Sequence, residues 1–257
     1  MTGLIPPDLT SFDRIALAWF LLTWLGYGQA LHVMPSLGSI TARMHQVRRV
    51  WMHTMLGRDN RITDASLIGH TVHSATFFAS TTMVALAAML GMLGAFDRSF
   101  AALETLDFTV KTSRALAEAK LLLLLSVFAH TFLKLSWALR QLNYCLALIG
   151  ASPLKPSHAE RDEIAGHLAA VLSLAISSFN AGVRGYLFAL AALSWLLGPT
   201  AFLLVTTGMV AMLLWRQFGS ATANAIRHSH GLLVGPASAG QVELAKPRVS
   251  VPIRLQA

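Results

Sequence analysis

Charged residues are absent from Ala65 through Phe96, a run of 32 positions closed by Asp64 and Asp97. A helix needs about 20 apolar residues to cross the hydrocarbon core of a bilayer, so this run alone predicts a membrane span over 66–96. Comparable runs predict spans over 15–34, 121–139, 169–197 and 200–216. Between the first two the pattern changes. Ile40, Met44, Val47, Trp51 and Met55 form one apolar stripe, with Arg43, Arg49 and His53 largely off it and Arg48 at its side. That spacing predicts an amphipathic helix over 38–57. Two placements are open. It lies in the membrane plane with Arg43, Arg48 and Arg49, followed by Arg58 and Arg61, at anionic headgroups, or it packs on the protein's own spans.

The span boundaries follow from the charges. Only 13 residues separate Lys120 from Lys134, too few to cross. The third span therefore runs on to about 139, with Lys134 snorkelling or facing protein, and its helix extends to Gly150. From Gly185 to Trp215, 31 uncharged residues are interrupted by Gly198-Pro199-Thr200, which is either one tilted span or a hairpin. A hairpin gives five spans with the N-terminus outside. Fourteen Lys and Arg then fall inside and five outside, with Arg184 within the membrane, as the positive-inside rule requires. Small residues at steps of four, Ala75 and Ala79, then Ala87, Gly91 and Ala95, predict close helix packing along the second span. Thr63 or Asp64 is the expected cap at its start.

Composition agrees with this pattern. Hydrophobic residues make up 54% and charged ones 12%, where a soluble domain carries about 25%. The chain is read as an all-α, polytopic integral membrane bundle: a transmembrane domain over 1–217 and a largely disordered cytoplasmic tail over 218–257. The net charge of +8 sits between apolar runs, so the expected partners are anionic lipids of the inner leaflet, not nucleic acid. A second copy or a membrane-complex subunit is the other expected partner. MTGLIPPDLTSFDR lacks a basic n-region, so the first span is expected to serve as its own insertion signal. The expected location is the bacterial inner membrane, with the C-terminus cytoplasmic. Cys145, the single cysteine, excludes a disulfide framework, and no metal site is expected.

Ionisable groups within spans are costly and point to function. Ser173, Ser177, Asn180 and Arg184 recur at steps of four, three and four, a polar stripe ending in a guanidinium. Ser126, His130, Lys134, Trp137 and Gln141 form a second stripe on the third span. Facing stripes can line an aqueous path; the alternative is a buried polar lock. His73 and His130 lie about 12 and 13 Å from the inner boundary at the helical rise per residue, the depth match that a b-type haem between two histidines would need, although chance alone can produce such a match. The His228-Ser229-His230 run reads as solvated. No nucleotide-binding, zinc-protease or nucleophile-elbow motif occurs, so no enzyme activity and no cofactor are expected.

Trp19-Phe20-Leu21-Leu22 with Gly26-Tyr27, the stretch Met52 to Asp64 (MHTMLGRDNRITD), Ala75 to Thr82, Trp137 to Cys145 (WALRQLNYC) and Phe179 to Tyr186 (FNAGVRGY) together resemble the bacterial and plant membrane family catalogued as domain of unknown function 599. The resemblance covers about residues 10–220. It implies a multi-span fold, puts Asn180 and Arg184 in a recurring motif, and implies no chemistry. The expected function is binding or passage of a small, anionic solute between the third and fourth spans, by Arg184, Asn180, Ser177, Ser173, Lys134, His130 and Gln141. The alternatives are a structural or accessory subunit of a membrane assembly and, third, a b-type electron carrier.

Overall fold

The computed structural model of the chain describes residues 8–33, 40–98, 100 and 112–242. The expected ends of the first span at 34 and of the amphipathic helix at 38, residues 99 and 101–111 between the second and third spans, and residues 243–257 of the tail lie outside these. The described residues form helices joined by short turns, with no strand among them. The helices are α1 (Ser11–Val33), α2 (Ile40–Leu56), α3 (Ile62–Gly94), α4 (Arg114–Ala151), α5 (His158–Leu193, continued by a 3-10 turn over Ser194–Leu197), α6 (Pro199–Phe218) and α7 (Ala221–Val242).

Among the described residues four stretches are long and apolar enough to cross a membrane: Ile62–Gly94, Arg114–Ala151, His158–Leu197 and Pro199–Val234. The expectation was five. The difference is α1, whose apolar run is interrupted by Trp19, Trp24, Tyr27 and Gln29.

Local chemistry explains the breaks. Gly198 has φ 117°, a conformation that side chains disfavour, and Pro199 opens α6, where its missing N–H is no loss. The chain reverses there: residues 180–187 of α5 and 213–217 of α6 line one cavity, 11 to 19 positions either side of Gly198. The hairpin alternative therefore holds. At the start of α5, the Ser157 hydroxyl accepts from the Glu160 amide while the Glu160 carboxylate accepts from the Ser157 amide at 2.9 Å, a capping box. The Ser157 hydroxyl, which donates to the same carboxylate at 2.6 Å, and the Ser157 amide hold the Glu160 carboxyl below the usual carboxylate range. Asp64 does not cap α3. Instead Asn60 accepts from the Ile62 amide at 2.9 Å.

The tail corrects the reading of disorder, because Ala221–Val242 is a helix. Ser220 caps it by accepting from the Ala223 amide. It packs against α2, where Gln46 meets His230. The amphipathic helix is packed on protein: Met52, Met55 and Leu56 are wholly buried against α5, including Ala165, Leu168 and Ala169. Three arginines expected at headgroups are engaged inside the fold. Arg48 donates to Ser173 at 3.2 Å, Arg58 pairs with Asp64 at 2.7 Å, and Arg61 donates to the Ser152 and Pro153 carbonyls at 2.9 and 2.6 Å.

The closest helix approach is between α4 and α5. A Cβ on Gly182 would lie 2.5 Å from Leu135, and one on Gly185 would lie 1.9 Å from the Thr131 hydroxyl and 2.9 Å from its Cβ. The expected small-residue face of α3 holds only in part: Ala75 and Ala79 are buried, whereas Ala87, Gly91 and Ala95 are exposed. Gly185→Ala should therefore destabilise the bundle by about 1–3 kcal/mol through overpacking, while Gly91→Ala, with nothing within 4 Å of the added carbon, should be neutral or slightly stabilising. Unfolding of both variants in detergent micelles checks this.

Two apolar clusters lie along α4 and α5. One joins Phe20, Phe188, Trp195 and Phe202, with the Trp195 and Phe202 rings stacked at 5.0 Å. The other joins Met52, Leu142, Leu168 and Leu172. The polar stripes fall between them.

Candidate functional site

Between the clusters is a cavity of about 520 Å³ walled by α1, α4 and α5. α4 contributes His130, Lys134, Trp137 and Gln141, and α5 contributes Ser177, Ser178 and Arg184. The spacing explains the convergence. Residues three and four apart share a helix face, and the close approach at Gly182 and Gly185 turns the two faces toward a common gap. On the α1 side, Gly28 leaves the backbone near the guanidinium: a Cβ there would lie 3.8 Å from Arg184 Nη2.

Arg184 is the hub. Its guanidinium carbon sits 5.4 Å from the centre of the Tyr27 ring, a cation–π contact. Among the described residues the ion pairs are His53–Asp162, Arg58–Asp64, Arg114–Asp97, Arg114–Glu118 and His158–Asp162, so neither Arg184 nor Lys134 has a carboxylate partner there. Arg184 also lines a second cavity of about 520 Å³ with Asn180, Arg216 and Gln217. It thus forms wall to both.

The other polar residues divide. Ser178, which the stripe omits because it is one residue off the face, donates to Gln141 Oε1 at 2.8 Å. Asn180 faces the second cavity, not the first. Ser173 lines neither; its hydroxyl meets His45 Nδ1 at 2.9 Å and Arg48 at 3.2 Å, tying α2 to α5. Ser126 turns back to the Leu122 carbonyl. Lys134 and Gln141 stand in the first cavity, and the His130 ring meets Trp24 edge-on at 5.3 Å. His73 is exposed on α3, and no α3 residue lines the cavity that holds His130. The two depth-matched histidines are not brought into one site.

The FN-x-G-x-R-x-Y stretch now has a physical explanation. Gly182 admits α4, Asn180 and Arg184 face the cavities, and Tyr186 holds α3 by donating to the Phe78 carbonyl at 2.8 Å and meeting the Thr82 hydroxyl at 2.6 Å. About two helix turns serve three neighbours.

The class defined is an all-helical bundle with four membrane-compatible helices and a polar cavity within it. The chain belongs to the family described as "Protein of unknown function, DUF599", whose model matches residues 15–222. No curated protein and no solved structure matches the chain.

Proposed function

We propose that the protein binds a small anion in the cavity between α4 and α5 and passes it across the bacterial inner membrane. The observation that carries this reading is Arg184: a guanidinium in a cavity wall, with a ring face beside it and no described carboxylate to neutralise it. Such a charge, set in a cavity wall within the bundle, needs an anion or water as its partner. Lys134 adds positive potential, and Ser177 supplies a hydroxyl donor. Attraction by a few polar groups without full enclosure suits passage better than permanent binding.

The orientation is part of the proposal. α2, the 152–157 turn and α7 share one end of the bundle, linked by Arg61 to Ser152 and Pro153 and by Gln46 to His230. Arg43, Arg48, Arg49, Arg58 and Arg61 lie at that end with Lys155, which makes it the cytosolic one. The opposite end holds Asp13, whose carboxylate accepts from Trp195 Nε1 at 2.8 Å. α1 then crosses as a fifth span, and its 23 residues reach about 34 Å at 1.5 Å each. With the Gly198 turn at the outer boundary, Arg184 lies about 21 Å along the helix and Ser177 about 31 Å. The cavity, lined from Phe188 at about 15 Å to Ser177, then runs from the middle of a bilayer core about 30 Å thick to its cytosolic boundary and is filled from the cytosol.

Reconstituted liposomes loaded with chloride, nitrate or phosphate test the reading. The parent protein should conduct at least one of these anions, and Arg184→Ala should lower the flux about tenfold or more. Absence of flux in the parent, or flux indifferent to Arg184→Ala, overturns it.

A further inference from the structure

A second cluster lies outside the cavity, where the end of α2 meets the start of α5. His53 Nε2 is 3.4 Å from Asp162 Oδ1, and His158 Nδ1 is 3.7 Å from Asp162 Oδ2. The ligand atoms of all three residues lie within 4.8 Å of one another. The His53 and His158 rings are 5.9 Å apart, centre to centre.

We propose that His53, His158 and Asp162 form a binding site for a divalent transition-metal ion of the Zn²⁺ class. The chemistry is a His₂-carboxylate set, which suits borderline ions such as Zn²⁺ and disfavours Mg²⁺ and Ca²⁺. The spacing is right. In a tetrahedral complex with bonds of about 2.0–2.1 Å, neighbouring ligand atoms stand about 3.3 Å apart, and the two measured separations are 3.4 and 3.7 Å. The histidines approach different oxygens of Asp162 and the three ligand atoms lie within 4.8 Å of one another, so rotation of the carboxylate and contraction by up to about 1.5 Å complete the set. His158 and Asp162 are one turn apart on one helix face, so a single helix presents two ligands, and the third arrives from α2.

The frame is rigid on both sides. The capping box at Ser157 and Glu160 fixes the first turn of α5. The Arg161 guanidinium lies against Gly57, 3.2 Å from where a Cβ would stand. Met52, Met55 and Leu56 anchor α2 beneath the site. All three ligands are at least partly exposed, which leaves the remaining coordination positions to water. The ion would clamp α2 to α5 on the cytosolic face, the same two helices that Ser173 ties through His45 and Arg48.

The test uses the purified full-length chain in detergent, stripped with chelator and titrated with ZnCl₂ by calorimetry. Thermal unfolding is followed with and without the ion. The parent should bind one equivalent that His158→Ala and Asp162→Asn each weaken tenfold or more. Zn²⁺ should raise the unfolding midpoint of the parent and not of His53→Ala, because binding to the folded state alone is what stabilises it. His228→Ala, a tail histidine outside the cluster, should leave the equivalent intact. The midpoints of the chelated variants establish that they fold. No saturable Zn²⁺ binding by the parent, or binding unchanged in both His158→Ala and Asp162→Asn, overturns the proposal.

Discussion

Arg58→Ala should cost about 3 kcal/mol of stability, the largest loss expected from any single truncation of an exposed side chain here. Its partner, Asp64, is wholly buried, while the Arg58 side chain remains 46% exposed. Both bonds to the carboxylate reach the same oxygen: Trp51 Nε1 at 2.7 Å and Arg58 Nη1 at 2.7 Å. The second oxygen is buried with no bond among the described residues. Removing Arg58 leaves a buried anion with one neutral donor, the situation in which breaking a pair costs about 3–5 kcal/mol. Asp64→Asn should cost less, about 1 kcal/mol, because its amide oxygen still accepts both donors and the guanidinium that loses its counter-ion is half exposed. The double variant should recover most of the Arg58→Ala loss, a coupling that a double-mutant cycle reads directly. Unfolding in micelles measures all three; an Asp64→Asn loss exceeding that of Arg58→Ala contradicts the explanation.

Arg184→Met should separate stability from function. A lock would hold Arg184 against a carboxylate, and its removal would cost several kcal/mol by stranding the partner. No carboxylate pairs with Arg184 among the described residues; its neighbour is the Tyr27 ring, and on the proposed reading an anion or water in the cavity balances its charge. A methionine of similar length should leave stability unchanged or raise it by about 1 kcal/mol, while anion flux collapses. The opposite pattern, marked destabilisation with flux intact, would make Arg184 structural and the cavity incidental.

The membrane-compatible helices were legible because lipid forbids charge, and uncharged runs are visible in a one-dimensional string. α1 shows the limit of that signal: its aromatic and amide residues are consistent with a helix packed on Phe188 and Phe202 and weaken its apolar run. The polar stripes were legible too, because periodicity reports which residues share a face. It does not report the neighbour. Ser173 shares the stripe with Ser177, yet its hydroxyl meets α2, while Leu174 beside it lines the cavity. His73 has the right depth and the wrong azimuth. Asp64 was read as a cap from its place before a span, whereas Trp51 and Arg58, thirteen and six positions upstream, claim its carboxylate. The tail helix is not legible in the sequence because Gly231, Gly235 and Pro236 oppose helix by propensity, and packing on α2 overrides propensity. The His53–His158–Asp162 cluster joins positions 105 residues apart, which no local pattern brings together.

The central claim is that the Arg184 cavity is wet, positive and open to the cytosolic side. Ser177→Cys tests it most directly, because the native thiol at Cys145 is buried and the introduced one lies in the cavity wall. A water-soluble anionic methanethiosulfonate applied from the α2 side should modify the introduced thiol about tenfold faster than its cationic counterpart, within the range by which a charged cleft concentrates counter-ions. Adding Arg184→Ala should erase most of that preference. Modification by lipid-soluble reagents alone, or equal rates for the two charged reagents, would contradict the account.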